Sequence, residues 1–147
     1  MGYQHIVIAV DLNEDNQRLL EKGAALAGAY NAKLSLIHVD IHHAPYYSAL
    51  GLQTYHYSGE VPNDVKTKKQ LAELALRSSY PIPDSIVITG ELIPELSREI
   101  RERGIDLLVF GHHHDVWSNL FSTARQAINN LNVDILVIPL LKEPEAL

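Results

Sequence analysis

The sequence contains no cysteine among its 147 residues. Disulfide bonds, thiolate catalysis and zinc sites built on cysteine are therefore excluded, and the composition fits a reducing cytosol. A chain of this length buries roughly two-thirds of its unfolded surface, so it needs neither a disulfide nor a metal to fold. We expect a single domain over residues 1–147.

Long apolar runs are also missing. No stretch approaches the ~20 residues that a transmembrane helix requires. The first residues, Met-Gly-Tyr-Gln-His, lack the basic and apolar regions of a secretory signal. We therefore expect a cytoplasmic protein with no membrane partner.

Positive charge is scarce, with 12 Lys and Arg residues against 18 Asp and Glu residues and a net charge of −6. The main cationic cluster is Lys66, Lys68 and Lys69, which is typical of a solvated helix face. Binding to a nucleic-acid backbone needs clustered Lys and Arg side chains that neutralise phosphates. The charge balance therefore argues against nucleic acid as a partner.

Short apolar runs alternate with amphipathic segments along the sequence. An uninterrupted apolar run of about four to eight residues is typical of a parallel strand covered on both faces, whereas apolar residues three or four apart indicate a helix. Such alternation predicts an α/β fold, a doubly wound, five-stranded parallel sheet in three layers. The predicted strands are residues 6–10, 34–39, 86–89, 105–110 and 134–139, and the predicted helices are residues 13–30, 61–79, 94–103 and 117–131.

The ends and faces of the first two helices can also be predicted. Asn13, with Glu14 and Asp15 after it, is typical of a capped helix start, because acidic side chains favour the positive end of the helix dipole. Asn31 tolerates the left-handed conformation that ends many helices. The core-facing side chains predicted for the second helix are Val65, Leu71, Ala72 and Ala75.

Five segments carry a family likeness: residues 3–11 (YQHIVIAVD), 34–39 (LSLIHV), 90–91 (GE), 106–113 (DLLVFGHH) and 134–139 (DILVIP). Together they resemble the universal stress protein family over about residues 3–140. The resemblance implies a Rossmann-like fold of the adenine nucleotide alpha hydrolase-like type and a role in the response to stress.

The phosphate-binding motif of that family is incomplete. Members that bind ATP carry a glycine after the fourth strand, a second glycine three residues later and, ten residues beyond it, a glycine followed by serine or threonine. The glycines let backbone N–H groups approach the phosphates, and the hydroxyl adds a donor. Gly111 matches the first glycine, but His114, Ala124 and Arg125 stand at the other positions. This departure resembles the A-type branch, which is regarded as not binding ATP.

A switch that binds ATP or AMP is the alternative interpretation. Ligands of doubly wound sheets bind at the carboxyl ends of the central strands. Asp11 matches the family position beside the nucleotide, although a carboxylate there could equally cap the next loop or helix. Ser122 and Thr123 would supply the missing hydroxyl only after a shift of register. The residues that this alternative assigns to nucleotide binding are Asp11, Val39, Gly111, His112, His114, Ser122, Thr123 and Arg125.

Histidine is unusually frequent, with eight residues. Residues 112–114 are three consecutive histidines, which cannot all point at one ion from regular backbone, and no His-x3-His pair sits on a predicted helix to form a preset site. We therefore expect no metal and no cofactor. A His-rich metal-binding protein, using these residues with His42, His43 and His56, stays a second alternative. We expect no enzyme activity, because Gly-x-Ser-x-Gly and Walker motifs and paired catalytic carboxylates are absent.

The last predicted strand has the composition of an interface. An apolar strand at a sheet edge aggregates unless it is paired or covered. The resemblance implies a homodimer through this strand, and the alternative is a strand covered within its own subunit. We interpret the sequence as a homodimeric, non-enzymatic stress-response protein, regulatory or protective, that acts through unnamed protein partners. The predicted dimer contacts are Ile135, Leu136, Val137 and Ile138.

Overall fold

A computed structural model describes residues 2–10, 12, 16–40, 63–89, 92–113 and 128–140 of the chain. Residues 128–130 are helical and belong to the last predicted helix, whose earlier part lies outside the described residues. The strands and helices are β1 (His5–Ala9), α1 (Gln17–Tyr30), β2 (Lys33–Asp40), α2 (Asn63–Ala75), β3 (Asp84–Thr89), α3 (Leu92–Arg103), β4 (Leu107–His113) and β5 (Asp134–Leu140).

The five strands form one parallel sheet in the order β3-β2-β1-β4-β5. β1 lies at the centre, where Ile6 pairs with Leu34 of β2 on one side and with Leu107 of β4 on the other. Residues 6–8 of β1 are 0% exposed. Both faces of the central strand are therefore dry, which confirms the predicted doubly wound parallel sheet.

Two apolar cores lie on the two faces of the sheet. On one face, Ile6 and Ile8 of β1 pack in a cluster with Leu19 and Leu20 of α1, and α2 contributes Leu71 to it. On the other face lies the second cluster, formed by Val7, Ile37, Ile86, Leu96, Leu108 and Phe110. Alternate residues of each strand enter opposite cores, as the twofold repeat of a strand requires.

Two glycines permit close approach in the first core. A Cβ atom on Gly23 of α1 would lie 2.3 Å from Cδ1 of Ile8, so the helix can pack against β1 only without a side chain there. A Cβ atom on Gly111 of β4 would lie 2.5 Å from Cδ1 of Leu140 and 3.1 Å from Cδ1 of Leu19. Both glycines are therefore required by packing.

The start of α1 was predicted wrongly, and its end correctly. The helix begins at Gln17 rather than Asn13, with no acidic residue in its first turn and Asn16 at the N-cap position. The Asn16 carbonyl accepts the first helical hydrogen bond, from Leu20 N–H at 2.9 Å. Asn31 has φ 53° and ψ 44°, the left-handed conformation expected of it. The N–H of Ala32 donates to the Ala27 carbonyl at 2.9 Å, which completes a Schellman-type end.

The prediction for α2 needs a larger correction. The helix is shorter than predicted, and its buried side carries Leu71 and Leu74. Val65 is 59% exposed and Ala72 is also exposed, contrary to the prediction. A helix turns about 100° per residue, so Val65 lies roughly 120° away from Leu71 around the axis. The helix buries the larger leucine at position 74 instead of Ala72.

The remaining boundaries differ by a few residues from the predictions. β3 begins at Asp84, two residues early, and α3 begins at Leu92, two residues before Pro94. Gly104 ends α3 with φ +66°, a conformation that favours glycine. β4 starts two residues late, at Leu107, and continues beyond Phe110 into the histidines.

A buried polar cluster ties the amino ends of three strands together. His5 of β1 donates its Nδ1–H to the Arg103 carbonyl at 3.1 Å, because a carbonyl can only accept. Its Nε2 lies 2.8 Å from Ser35 Oγ, and Ser35 donates to Asp84 Oδ1 at 2.5 Å. Asp84 also pairs with Lys33 at 3.1 Å and Arg103 at 3.3 Å. This cluster fixes β3 and the end of α3 against β1 and β2.

The charge of Asp84 depends on these neighbours. Burial acts to raise the pKa of its carboxyl group. Hydrogen bonds from Ser35 and Lys33, together with the positive charges of Lys33 and Arg103, outweigh burial and hold the pKa below its usual value. The folded state therefore favours the carboxylate.

The N-terminal residues are held by carboxylates of the other half of the sheet. Asp106, just before β4, accepts the backbone N–H groups of Gln4 at 2.8 Å and His5 at 3.0 Å. Tyr3 donates its hydroxyl to Asp134 of β5 at 2.9 Å, and this hydrogen bond raises the pKa of the tyrosine. The amino edge of the sheet is thus linked from β1 to β5.

Replacement of Gly111 by alanine should destabilise the protein by about 1–3 kcal/mol, because the new Cβ overlaps Leu140 and the packed core cannot yield freely. Urea denaturation followed by circular dichroism measures the change. Gly28→Ala is the matched control: its Cβ would meet only Tyr80, at 3.9 Å. Alanine there should raise stability by about 0.5–1 kcal/mol. A Gly111→Ala variant as stable as the wild type would contradict the packing described for this glycine.

Asp84→Asn should lower stability at pH 7 and have little effect in acid. The pKa of Asp84 is lower in the folded state, so its contribution is present above about pH 4 and is lost as the pH falls through the folded value. The carboxyl side chain is 34% exposed, and solvent screening limits the loss at pH 7 to about 1 kcal/mol or less.

Urea denaturation at pH 7 and pH 3 tests this expectation. Glu73→Gln, an exposed carboxylate of α2, should change stability by less than about 0.5 kcal/mol at both pH values. An equal loss for Asp84→Asn at both pH values would show that charge is not the cause.

Candidate functional site

The carboxyl ends of β1, β2 and β4 meet at one edge of the sheet. β2 and β4 are the two neighbours of β1 and run parallel to it. Val10 follows β1 and donates its N–H to the Ile37 carbonyl of β2 at 2.9 Å. Val39 lies near the end of β2, and Gly111 lies at the corresponding end of β4. The structure therefore brings together the strand ends that the sequence assigned to a ligand crevice.

His38 is a residue of this edge that the sequence analysis did not single out. It is half-buried, and its Nδ1–H donates to the Val10 carbonyl at 3.2 Å. In the neutral ring this hydrogen bond leaves Nε2 as an acceptor. The available signal was a polar ring at the end of an otherwise apolar strand, beside the predicted crevice. Nε2 of His38 is thus a side-chain atom at this edge that could accept a hydrogen bond from a ligand N–H or O–H.

Gly111 is the surviving element of the phosphate motif, and it has a structural role of its own. The position of its missing Cβ is taken by Leu140 and Leu19. Packing against Leu140 and Leu19 therefore explains why this residue is a glycine, whether or not a phosphate binds. The presence of Gly111 alone is no sign of nucleotide binding.

The other residues assigned to nucleotide binding are not all described. His112 lies in β4, paired with Pro139 of β5. Asp11, His114, Ser122, Thr123 and Arg125 lie outside the described residues, so their assignment stays a prediction.

The described part of the chain contains neither a preassembled metal site nor a membrane-spanning helix. Among the residues that the structure describes, no three His, Cys, Asp or Glu side chains gather where they could hold a metal ion. His42, His43, His56 and His114 lie outside that part, so the metal-binding alternative stays a prediction. None of the described helices is long and apolar enough to cross a membrane.

The predicted dimer contacts divide between surface and core. β5 is an edge strand of the sheet. Leu136 and Val137 are each 37% exposed, whereas Ile138 is 5% exposed and belongs to the first core. Ile135 is partly buried against the second core. Of the four predicted contacts, Leu136 and Val137 are therefore the two that are exposed to another molecule.

Comparison with known proteins agrees with this architecture. The family model described as Universal stress protein family matches residues 2–139. The chain is 42% identical over 147 residues to Universal stress protein A of Escherichia coli strain K12, covering 99% of this chain and 100% of that protein. It is 44% identical over 142 residues to the Universal stress protein A homolog of Haemophilus ducreyi, covering 96% and 99%.

A solved structure shows the same fold at lower identity. The universal stress protein from Archaeoglobus fulgidus in complex with dAMP aligns with a TM-score of 0.62 and 19% identity, covering 94% of this chain and 99% of that one. The likeness to this structure concerns the fold. The family match over residues 2–139 and the identity to whole relatives named Universal stress protein A show that the chain belongs to the universal stress protein family.

Proposed function

We propose that this stress protein is a non-enzymatic, regulatory or protective homodimer that does not hold ATP in the crevice at the carboxyl ends of β1, β2 and β4. The observation that carries the proposal is the role of Gly111, whose glycine character is accounted for by its contacts with Leu140 and Leu19. At the other motif positions the sequence has His114, Ala124 and Arg125 in place of glycine and a small hydroxyl. These residue types differ from the glycines and the small hydroxyl with which ATP binders of the family hold a phosphate.

The exposed edge of β5 supports the dimer. Leu136 and Val137 present apolar surface on a strand that has a neighbour, β4, on only one side among the described residues. Such an edge invites pairing with another strand. A closed two-fold contact with the same strand of a second copy would satisfy both the backbone groups and the apolar side chains.

Binding of a nucleotide such as AMP is the second candidate function. The Archaeoglobus fulgidus protein of the same fold is described in complex with dAMP. The observation that favours this candidate is the meeting of three strand ends beside His38, with Val39 and Gly111 on either side of β1. The predicted contacts Asp11, His112 and Arg125 would complete such a site.

The absence of bound nucleotide after purification is the direct expectation of the proposal. Protein prepared without added nucleotide, then denatured and assayed for adenine absorbance and phosphate, should release far less than one nucleotide per chain. The Archaeoglobus fulgidus protein carried through the same procedure with added dAMP serves as the positive control. Stoichiometric nucleotide from this chain would contradict the proposal and favour the second candidate.

Val137→Lys should convert the dimer to a monomer or an aggregate in light scattering, because a charge is placed in the apolar strand contact. Circular dichroism checks that the variant is folded, as expected for a side chain that is 37% exposed. Leu76→Lys, at an exposed leucine far along the sheet from β5, is the control and should leave the mass unchanged. An unchanged dimer for Val137→Lys would move the interface elsewhere.

A further inference from the structure

A groove lies at the edge of the sheet opposite β5, between the end of α2 and the start of β3. Its volume is about 580 Å³. β3 is the edge strand here, as β5 is at the other end of the sheet. We call this feature the α2 groove, and the lining residues that matter are Lys68, Ala72, Leu76, Tyr80, Ile82 and Pro83.

The floor of the α2 groove is held in place by hydrogen bonds. Tyr80 donates its hydroxyl to the Ala32 carbonyl at 2.6 Å, which joins the floor to the start of β2. Ser78 Oγ donates to the Tyr80 carbonyl at 2.7 Å and accepts the Tyr80 N–H at 3.1 Å. A surface ordered in this way loses little conformational entropy when a ligand binds.

An apolar stripe that belongs to neither core of the described residues runs along α2 to the groove. Val65, Ala72 and Leu76 are spaced seven and four residues apart, so they share one side of the helix. Val65 is 59% exposed and Leu76 is 86% exposed, the largest value among the large apolar side chains that the structure describes. The stripe faces away from Leu71 and Leu74, which fill the core. Packing of α2 against the described core therefore does not require apolar residues there.

The segment that carries the stripe has an excess of positive charge. Residues 63–77 contain two acidic residues, Asp64 and Glu73, against four Lys and Arg residues. The net charge of the chain is −6, so this surface contrasts with the rest of the molecule. Asp84 also lines the groove, but its charge is paired with Lys33 at 3.1 Å and Arg103 at 3.3 Å. The exposed cations of the segment are Lys66, Lys68, Lys69 and Arg77.

We propose that the α2 groove docks an acidic peptide segment of a partner protein, anchored by an apolar side chain packed against Leu76, Tyr80 and Ile82. The lysines would steer the acidic segment and fix its register, while the apolar contact would supply most of the affinity. The inference rests on the proposed function only in that the protein acts through partners. It does not depend on the β5 dimer or on the nucleotide crevice, because the groove lies at the other edge of the sheet.

Selection from a random peptide library tests the proposal. Peptides of about 12 residues displayed on phage are selected against the full wild-type chain, and enriched sequences are synthesised with a fluorescent label. We expect Asp and Glu to be enriched around a Leu, Ile, Phe or Trp residue. Binding measured by fluorescence anisotropy should weaken about tenfold in Leu76→Ser and in Lys68→Glu. It should also weaken when salt is raised from about 50 to about 300 mM.

The control variants match these changes elsewhere on the surface. Ile128→Ser removes an apolar side chain that is 58% exposed, and Lys22→Glu reverses an exposed charge on α1. Both should bind the selected peptides as the wild type does. Light scattering of Leu76→Ser should give the wild-type mass, which separates failure of the groove from failure of the dimer.

Three results would overturn the proposal. If selection enriched no peptides, or only peptides without acidic residues, the proposed acidic partner would be contradicted. Selected peptides that bind Leu76→Ser and Lys68→Glu as well as the wild type would place the site elsewhere. Sedimentation with phosphatidylserine vesicles that depends on Leu76 and Lys68, in the absence of peptide binding, would assign the surface to a membrane instead.

Discussion

The burial of β1 on both faces is the constraint on which the rest of the structure depends. Residues 6–8 have no exposed surface, so helices must cover the sheet on both sides. β1 also exchanges backbone hydrogen bonds with β2 and β4, so it positions both neighbours. The close packing of Gly23 against Ile8 brings α1 onto the strand. The central position of β1 therefore determines where the predicted crevice, the amino-end polar cluster and the two sheet edges lie.

The two ends of the strands have different roles. At the amino ends, His5, Ser35 and Asp84 link three strands through hydrogen bonds that include a buried imidazole. Such a network fixes strand positions, since each buried polar group needs its partner. At the carboxyl ends, Val10 and His38 are joined by a hydrogen bond beside the predicted ligand crevice. The stabilising polar groups are thus separated from the surface where a family ligand would bind.

The two edges of the sheet also differ in character. β5 presents Leu136 and Val137, which suit a second copy of the strand. The opposite edge carries the α2 groove, where Leu76 stands among lysines. A homodimer through β5 would display two such grooves facing away from its centre. If both proposals hold, one edge of the sheet would serve the dimer and the other would be left for a partner protein.

The order of the elements could be predicted because it depends on local patterns. Apolar runs such as residues 6–10 and stop signals such as Asn31 act within a few residues of themselves. The orientation of α2 could not be predicted, since alanines and Val65 fit either side of a helix and only the sheet decides between them. The hydrogen bond between His5 and Ser35 joins residues 30 positions apart, and no sequence spacing predicts it. Gly111 was singled out as the first glycine of the phosphate motif, and only the contact with Leu140 shows its packing role.

A crystal structure of the protein grown with Mg²⁺ and ATP would test the proposed loss of ATP binding most directly. We expect no nucleotide density at the carboxyl ends of β1 and β4, above Val10 and Gly111. A triphosphate bound beside Gly111, with the adenine against Val39, would contradict the proposal and identify this chain as a nucleotide-binding member of its family.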